Sequence, residues 1–228
     1  MKLFITSLLS LLFYTSGLTQ NQFGIGANGG VSIPVGDFHE YYSIGYGGDV
    51  QLFYEMNRAF ILVLTSGYHS WKFDQETYNK KAGEQSLNEN FDLNSHFTMI
   101  PIYLGIRYYL AGGKNRPFFS LDFGGYSYEF KISGTINSTL PNANSVPVTI
   151  PETKKTETQT ALAVGFGYFY NLSRNWNLEV HSKYNVLSSA YTINDPDKIS
   201  NMQDSTPSYG HSGKLNFVSV MAGVNYIF

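Results

Sequence analysis

A chain of 228 residues can hold one β-domain or two small ones, and a formal charge of -2 leaves no basic excess of the kind that nucleic-acid binding requires. Charged residues make up 14% and aromatics 16%, with 18 Tyr, 17 Phe and 22 Gly; the charged share is far below the ~25% of a soluble domain, and the mixture suits pleated strands better than helices. The absence of cysteine excludes disulfides and a lipidated N-terminal cysteine.

In chain order, residues 1–19 read as a secretory signal peptide: Lys2, an apolar run from Leu3 to Tyr14, then Gly17 and Thr19 before the cleavage point. The run is shorter than the ~20 residues that a spanning helix needs. A single domain, 20–228, follows. Runs of alternating apolar residues predict strands near 22–33, 46–55, 59–71, 97–110, 117–130, 158–170 and 176–186. An eighth is the terminal FVSVMAGVNYIF, in which Val218, Val220, Ala222, Val224 and Tyr226 form an apolar face and Ser219, Met221, Gly223 and Asn225 lie on a mixed one.

The joints alternate strictly. Short turns at 56–58, 111–116 and 171–175 interleave with long polar connections at 34–45, 72–96, 131–157 and 187–216. In an up-and-down barrel successive joints lie at opposite ends, so all short turns share one rim and all long loops the other, the asymmetry of barrels that cross an outer membrane. A soluble eight-stranded barrel is the competing architecture, and the two differ in which face carries charge. On 176–186, Trp176, Leu178, Val180, Tyr184 and Val186 oppose Asn177, Glu179, His181, Lys183 and Asn185. A row holding Glu, His and Lys cannot line a soluble core, whereas it can line the lumen of a small membrane barrel. On 100–110 the even face is likewise unbroken oil. Gly24, Gly26, Gly30, Gly165 and Gly167 fall on the inner face, and Tyr46, Tyr54, Tyr68, Tyr108, Tyr168, Trp176, Tyr184 and Tyr226 on the outer one, where amphipathic rings suit the membrane boundary. On 59–71 both faces start apolar, and Phe60, Leu62, Leu64 and Tyr68 are assigned outward. The predicted fold is therefore all-β: an eight-stranded antiparallel up-and-down transmembrane β-barrel with short periplasmic turns and long extracellular loops.

VSIPVGDF (31–38), MIPIYLGIRYYL (99–110) and the terminal strand carry a resemblance to the OmpA/OmpX-like outer-membrane β-barrel domain family, in its Bacteroidota branch with PorT-like proteins. The resemblance implies an outer-membrane location in contact with outer-membrane lipids. It also implies that Val224, Tyr226 and Phe228 form the C-terminal signal read by the barrel-assembly machinery. It specifies a scaffold and not an activity.

The inner-face charges Asp49, Arg107, Asp122, Glu179 and Lys183 are expected to form a network across the lumen that fills a non-conducting barrel, with an ion path as the less favoured reading. Asn225 faces the same lumen and is expected to accept arginine more easily than Val224. Glu179, His181 and Ser182 suggest a hydrolytic trio, but alternation turns Ser182 to the opposite side of the wall from His181, so no catalytic residue is expected. The five histidines, at 39, 69, 96, 181 and 211, lack ligand spacing, so neither a metal nor a cofactor is expected. The leading function is structural or surface-interacting, presenting four loops. An accessory barrel of a secretion apparatus, with secretion-system protein partners, and a lipid-modifying enzyme are the alternatives.

Overall fold

Because neighbouring strands must present their apolar residues to the same side, eight alternating segments of this kind can bury their edges only by closing on one another. The computed structural model describes residues 22–84, 89–138, 148–187, 190–192, 211–213 and 215–228, and shows that closure. The expected leader at 1–19 lies outside the described residues. The barrel strands are β1 (Phe23–Val35), β2 (Gly45–Glu55), β3 (Phe60–Lys72), β4 (Glu89–Tyr109), β5 (Asn115–Ser138), β6 (Val148–Asn171), β7 (Trp176–Leu187) and, at the C-terminus, β10 (Asn216–Ile227). Each pairs antiparallel with its neighbour in sequence, a short hairpin of β8 (Ala190–Thr192) with β9 (His211–Gly213) standing outside the ring. The ring shuts where β1 meets β10, from Gly24↔Ile227 to Val35↔Asn216. No helix among the described residues is long and apolar enough to cross a membrane.

The short turns form as their sequences suggest. Asn57 Oδ1 accepts from the N–H groups of Ala59 and Phe60 at 2.8 and 3.0 Å, Gly113 supplies a φ of 95°, and Ser173 Oγ accepts from the Trp176 N–H at 3.1 Å. These are the devices by which Asn, Gly and Ser tighten a reversal. All three turns lie on one rim.

The opposite rim corrects the sequence reading. The connection at 131–157 is largely strand and the one at 72–96 ends in strand from Glu89, because β4, β5 and β6 run for 21, 24 and 24 residues. β4 stays paired with β5 up to Glu89↔Ser138, and β5 with β6 up to Ile136↔Val148. The polar alternation and β-branched threonines of VTIPETKKTETQT suit a pleated strand even without an oily face. His96 accordingly lies within β4. The connection at 34–45 is not an open loop either: a 3-10 turn, Gly36–Glu40, carries Phe38 inward. Between β3 and β4 stands helix α1 (Gln75–Glu84), capped by Asp74, whose Oδ1 accepts from the Thr77 N–H at 3.0 Å.

The outer wall is apolar, with Ile102, Leu104, Leu121, Phe123, Phe166 and Val180 among its exposed residues. On β3, Phe60, Leu64 and Tyr68 face outward while Ile61, Val63, Thr65 and His69 are buried. Around the turn rim aromatic pairs form a girdle: Phe23 with Tyr54 at 4.9 Å, Phe60 with Tyr108 at 5.1 Å, and Trp176 with Tyr226 at 5.1 Å between ring centroids.

Inside, the lumen is filled in three layers. Near the turns an apolar plug gathers Phe53, Ile61, Val63, Tyr109, Phe118, Phe169 and Ile227. A polar belt occupies the middle. Under the loop rim a larger aromatic plug joins Trp71, Phe97, Tyr128 and Phe217 to Phe38 from the 3-10 turn, Tyr42 just after it, and Tyr78 from α1.

Candidate functional site

Alternation sends every second residue of each strand into the lumen, and closure then decides which of them meet across it. Arg107 of β4 and Glu179 of β7 are separated by two strands along the wall, yet they face each other through the interior. The guanidinium makes a two-pronged contact, Nη2 to Oε1 at 2.9 Å and Nη1 to Oε2 at 3.0 Å, with both side chains fully buried. Nη2 also donates to Gln51 Oε1 at 2.7 Å, and the guanidinium carbon lies 4.7 Å from the centre of the Phe118 ring. Glu179 accepts in addition from Asn225 Nδ2 at 2.8 Å and lies 2.7 Å from His181 Nδ1. A planar fork on a carboxylate that also accepts from a buried amide is the geometry in which a buried ion pair can offset its desolvation.

The other three charges sit nearer the loop rim. Lys183 Nζ of β7 reaches Asp122 Oδ2 of β5 at 3.0 Å. Asp49 Oδ1 of β2 lies 3.3 Å from His69 Nε2, whose Nδ1 is 2.8 Å from Ser32 Oγ. The five residues expected to share the lumen thus all face it, but they pair as Arg107–Glu179, Lys183–Asp122 and Asp49–His69. Room for these groups comes from glycines opposite them: a Cβ on Gly105 would strike the Asp122 carboxylate, and one on Gly26 the Asn225 amide.

That packing overturns one expectation. Asn225 is fully buried, anchored to Glu179 and pressed against Gly26, so the lumen has no space for an arginine there and a second cation would oppose Arg107. Val224, on the outer face, pairs with Ala27 and Leu178. Tyr226 packs edge-on against both Trp176 and Phe228, the latter at 5.3 Å, and the Phe228 N–H donates to the Phe23 carbonyl at 2.9 Å. Val224, Tyr226 and Phe228 therefore form one outward stripe on the closing seam. Ser182 lies in register with Phe166 and Val220, both exposed on the outer wall, while His181 is buried in the belt.

The loop-rim plug escaped the sequence reading. Phe38 and Tyr42 come from a segment that is polar on average, and their rings meet at a tilt with centroids 5.0 Å apart and lie against Phe97 at 5.5 and 5.8 Å. Trp71 Nε1 donates to the Ser32 carbonyl at 3.0 Å, and the Tyr42 hydroxyl lies 3.2 Å from Ser95 Oγ. The available signal was spacing: two rings four residues apart in DFHEYY, and Asp74 followed by Glu76 as the start of a helix.

The outer membrane protein beta-barrel domain family matches residues 5–228. No curated protein matches the chain. Among solved structures, a major outer membrane protein from Thermus thermophilus is 15% identical with a TM-score of 0.50, over 92% of this chain and 100% of that one. The attachment invasion locus protein Ail of Yersinia pestis, in complex with the heparin analogue sucrose octasulfate, is 12% identical with a TM-score of 0.50, again over 92% and 100%. Neisserial surface protein A is 13% identical with a TM-score of 0.47, over 90% of this chain and 97% of that one. At these identities the likeness concerns the fold. The closed ring, its oily exterior and the family match over nearly the whole chain agree: this protein resides in the outer membrane and belongs to the outer membrane protein β-barrel domain family.

Proposed function

We propose that the protein is a non-conducting membrane anchor with a structural or surface-interaction role, holding the segments above its loop rim at the cell surface. The observation that carries this reading is the sequence of layers in the lumen among the described residues: an apolar plug, a belt of paired charges, and an aromatic plug lie one above another. Eight strands enclose only enough space for side chains to fill.

In this reading residues 1–19 direct export, and Val224, Tyr226 and Phe228 present the stripe on which the barrel-assembly machinery acts. The reading is also non-catalytic. His181 is held by Glu179 inside the belt, whereas Ser182 lies on the lipid side of the same strand, so that pair does not converge, and the Ser32–His69–Asp49 chain is buried within the lumen.

Planar-bilayer recording tests the central statement. The purified barrel should insert without steady conductance, and a variant with Trp71→Ala and Phe217→Ala at one plug and Phe118→Ala at the other should leak. Steady ohmic current through the unaltered protein would sink the anchor reading in favour of an ion path. Loss of secreted cargo when the protein is deleted would move it to the accessory-barrel role.

A further inference from the structure

The two rims of the barrel hold their cations differently. At the loop rim Lys131 and Lys154 share the Glu129 carboxylate at 3.0 and 2.6 Å, and Lys155 Nζ lies 2.8 Å from Glu157 Oε1. At the turn rim every turn carries a basic residue: Arg58 in the first, Lys114 and Arg116 at the second, and Arg174 in the third. Among the described residues Glu55 is the one acidic side chain at this rim, and Arg116 Nη1 meets its Oε1 at 3.1 Å. The Arg116 guanidinium also lies 4.1 Å from the centre of the inward Tyr109 ring, and its Nη2 donates to the Arg58 carbonyl at 3.5 Å, so this pair belongs to the mouth of the lumen. Arg58, Lys114 and Arg174 remain. All three are exposed, and none meets a carboxylate among the described residues.

Level and depth decide what these three cations can meet. Direct partners followed once round the ring lead from Phe23 through Tyr54, Ile106, Val164 and Val218 to Ile33, ten residues further along β1. Each step to the next strand therefore shifts the level by a little over one residue. With that stagger allowed for, Arg58, Lys114 and Arg174 stand within about one residue of a common level. They lie about two to three residues beyond Phe60, which is roughly 5–8 Å at ~3.4 Å per residue and a tilt of ~40°. The oily wall reaches the same edge. From Leu110 to Ile100 the outward residues are apolar without a break, about 26 Å by the same measure, which fills the ~25 Å band of such barrels. Phe60, Leu172 and Trp176 are likewise exposed beside the first and third turns, and the turns are too short to carry their cations away from this wall. The headgroup layer adds roughly 5–8 Å beyond the hydrocarbon, so the three charged ends lie in it. Lys114 displays the placement: its Nζ sits 5.1 Å from the centre of the Tyr170 ring, which shares the outward face of β6 with Tyr168.

We infer that Arg58, Lys114 and Arg174 form an open ring of three binding sites, one at each turn, for the phosphates of anionic phospholipids in the periplasmic leaflet. A guanidinium fork takes two phosphate oxygens at once, and the lysine supplies a compact point charge. A phosphate held there brings its acyl chains against Phe60, Leu110 or Trp176, so lipid uses both the charge and the adjoining oil. A free anion or an acidic protein surface would use the charge alone. The ring sets the depth at which the barrel sits. It is open at the seam between β10 and β1, which has no connecting turn and no Lys or Arg at this end among its described residues.

The test uses the refolded barrel in nanodiscs of phosphatidylcholine with a minority of headgroup-photoactivatable phosphatidylglycerol, the crosslinked peptides being mapped by mass spectrometry. At low salt, crosslinks at this rim should cluster on the three turns and be sparse at the seam ends of β1 and β10. Arg58→Gln, Lys114→Gln and Arg174→Gln should each lower the yield at its own turn about fivefold. The other two turns should keep their yield and so report that each variant is folded. Arg58→Lys should retain most of the signal that Arg58→Gln loses. Single variants that leave their own turn unchanged would overturn the inference. Equal labelling at seam and turns would do the same and leave the cations to an acidic partner in the periplasm. The same pattern from a headgroup-photoactivatable phosphatidylcholine would remove the selection for anionic lipid and with it the inference. Abolition of the signal by millimolar inorganic phosphate at constant ionic strength would overturn it by assigning the sites to a free anion.

Discussion

The polar belt and the aromatic plug under the loop rim fill the same tube by opposite means. In the belt each charged group has a named partner at a fixed distance, such as Arg107 on Glu179 or Lys183 on Asp122. In the plug, Trp71, Phe38, Phe97 and Phe217 touch at ring separations between 5.1 and 5.8 Å, through ring faces and edges that form no hydrogen bond with one another. Removing one member of the belt leaves another charge buried without its counter-ion, whereas removing one ring leaves only a hole. The belt is therefore sensitive to which atoms are present, and the plug to how much volume is present.

The largest effect that separates them is expected at Glu179. Glu179→Met leaves the Arg107 guanidinium with Gln51 as its remaining polar partner and should cost about 3–5 kcal/mol, the usual loss on breaking one side of a buried pair. Adding Arg107→Met should return part of that loss. Urea midpoints of the three proteins refolded in bilayers decide the matter, and a double variant weaker than the single would erase the distinction drawn for the belt.

Trp71→Ala probes the plug. Its fully buried indole stacks on His69 and packs edge-on against Phe217, so truncation should cost about 3 kcal/mol, at the low end for a large aromatic because the 3-10 segment can settle into the space. Trp71→Phe should recover most of the loss. If phenylalanine were no better than alanine, the Nε1 hydrogen bond to Ser32 and not volume would govern the site.

The outer wall supplies a third comparison, by depth. Ala222→Arg, near mid-height on β10, should cost about 2–4 kcal/mol, and Val224→Arg, one outward step from the Tyr226 girdle, about 1–2 kcal/mol. The order should show in the same unfolding midpoints. Equal losses would mean that the oily stripe of the terminal strand does not follow the bilayer profile.

The smallest effect concerns pH. Burial is the main cause raising the Tyr42 hydroxyl well above its ordinary value of 10.0, with the Ser95 bond acting weakly the other way. Its contribution to stability is complete below pH 10 and is lost as pH rises from there toward the folded value, because only the unfolded chain releases the proton in that window. Tyr42→Phe should cost about 1 kcal/mol at neutral pH and should flatten the decline above pH 10. Parallel slopes for the two proteins between pH 10 and 11 would show that Tyr42 is not sealed in the plug.

The tube itself was legible in the sequence because a period of two is a local property. In WNLEVHSKYNV the apolar and charged residues separate onto two faces before any partner strand is known, and the strict alternation of short and long joints then sets the order of the ring. The same locality explains the inward Arg107 and Asp122. The pairing across the lumen was not local: Arg107 meets Glu179 and not Asp122 because closure brings β4 and β7 face to face and sets their heights, quantities that no single strand carries. Nor could composition show that VTIPETKKTETQT continues as β6, since its polar alternation acquires a structure only from the register with β5. Sequence alone determined which residues face oil and which face inward, because side-chain direction follows from the pleat. Only the closed structure decided which inward residues touch, and that rings from the 3-10 segment and α1 close the loop end, because contacts across a barrel depend on strand number, stagger and the path of chain outside it.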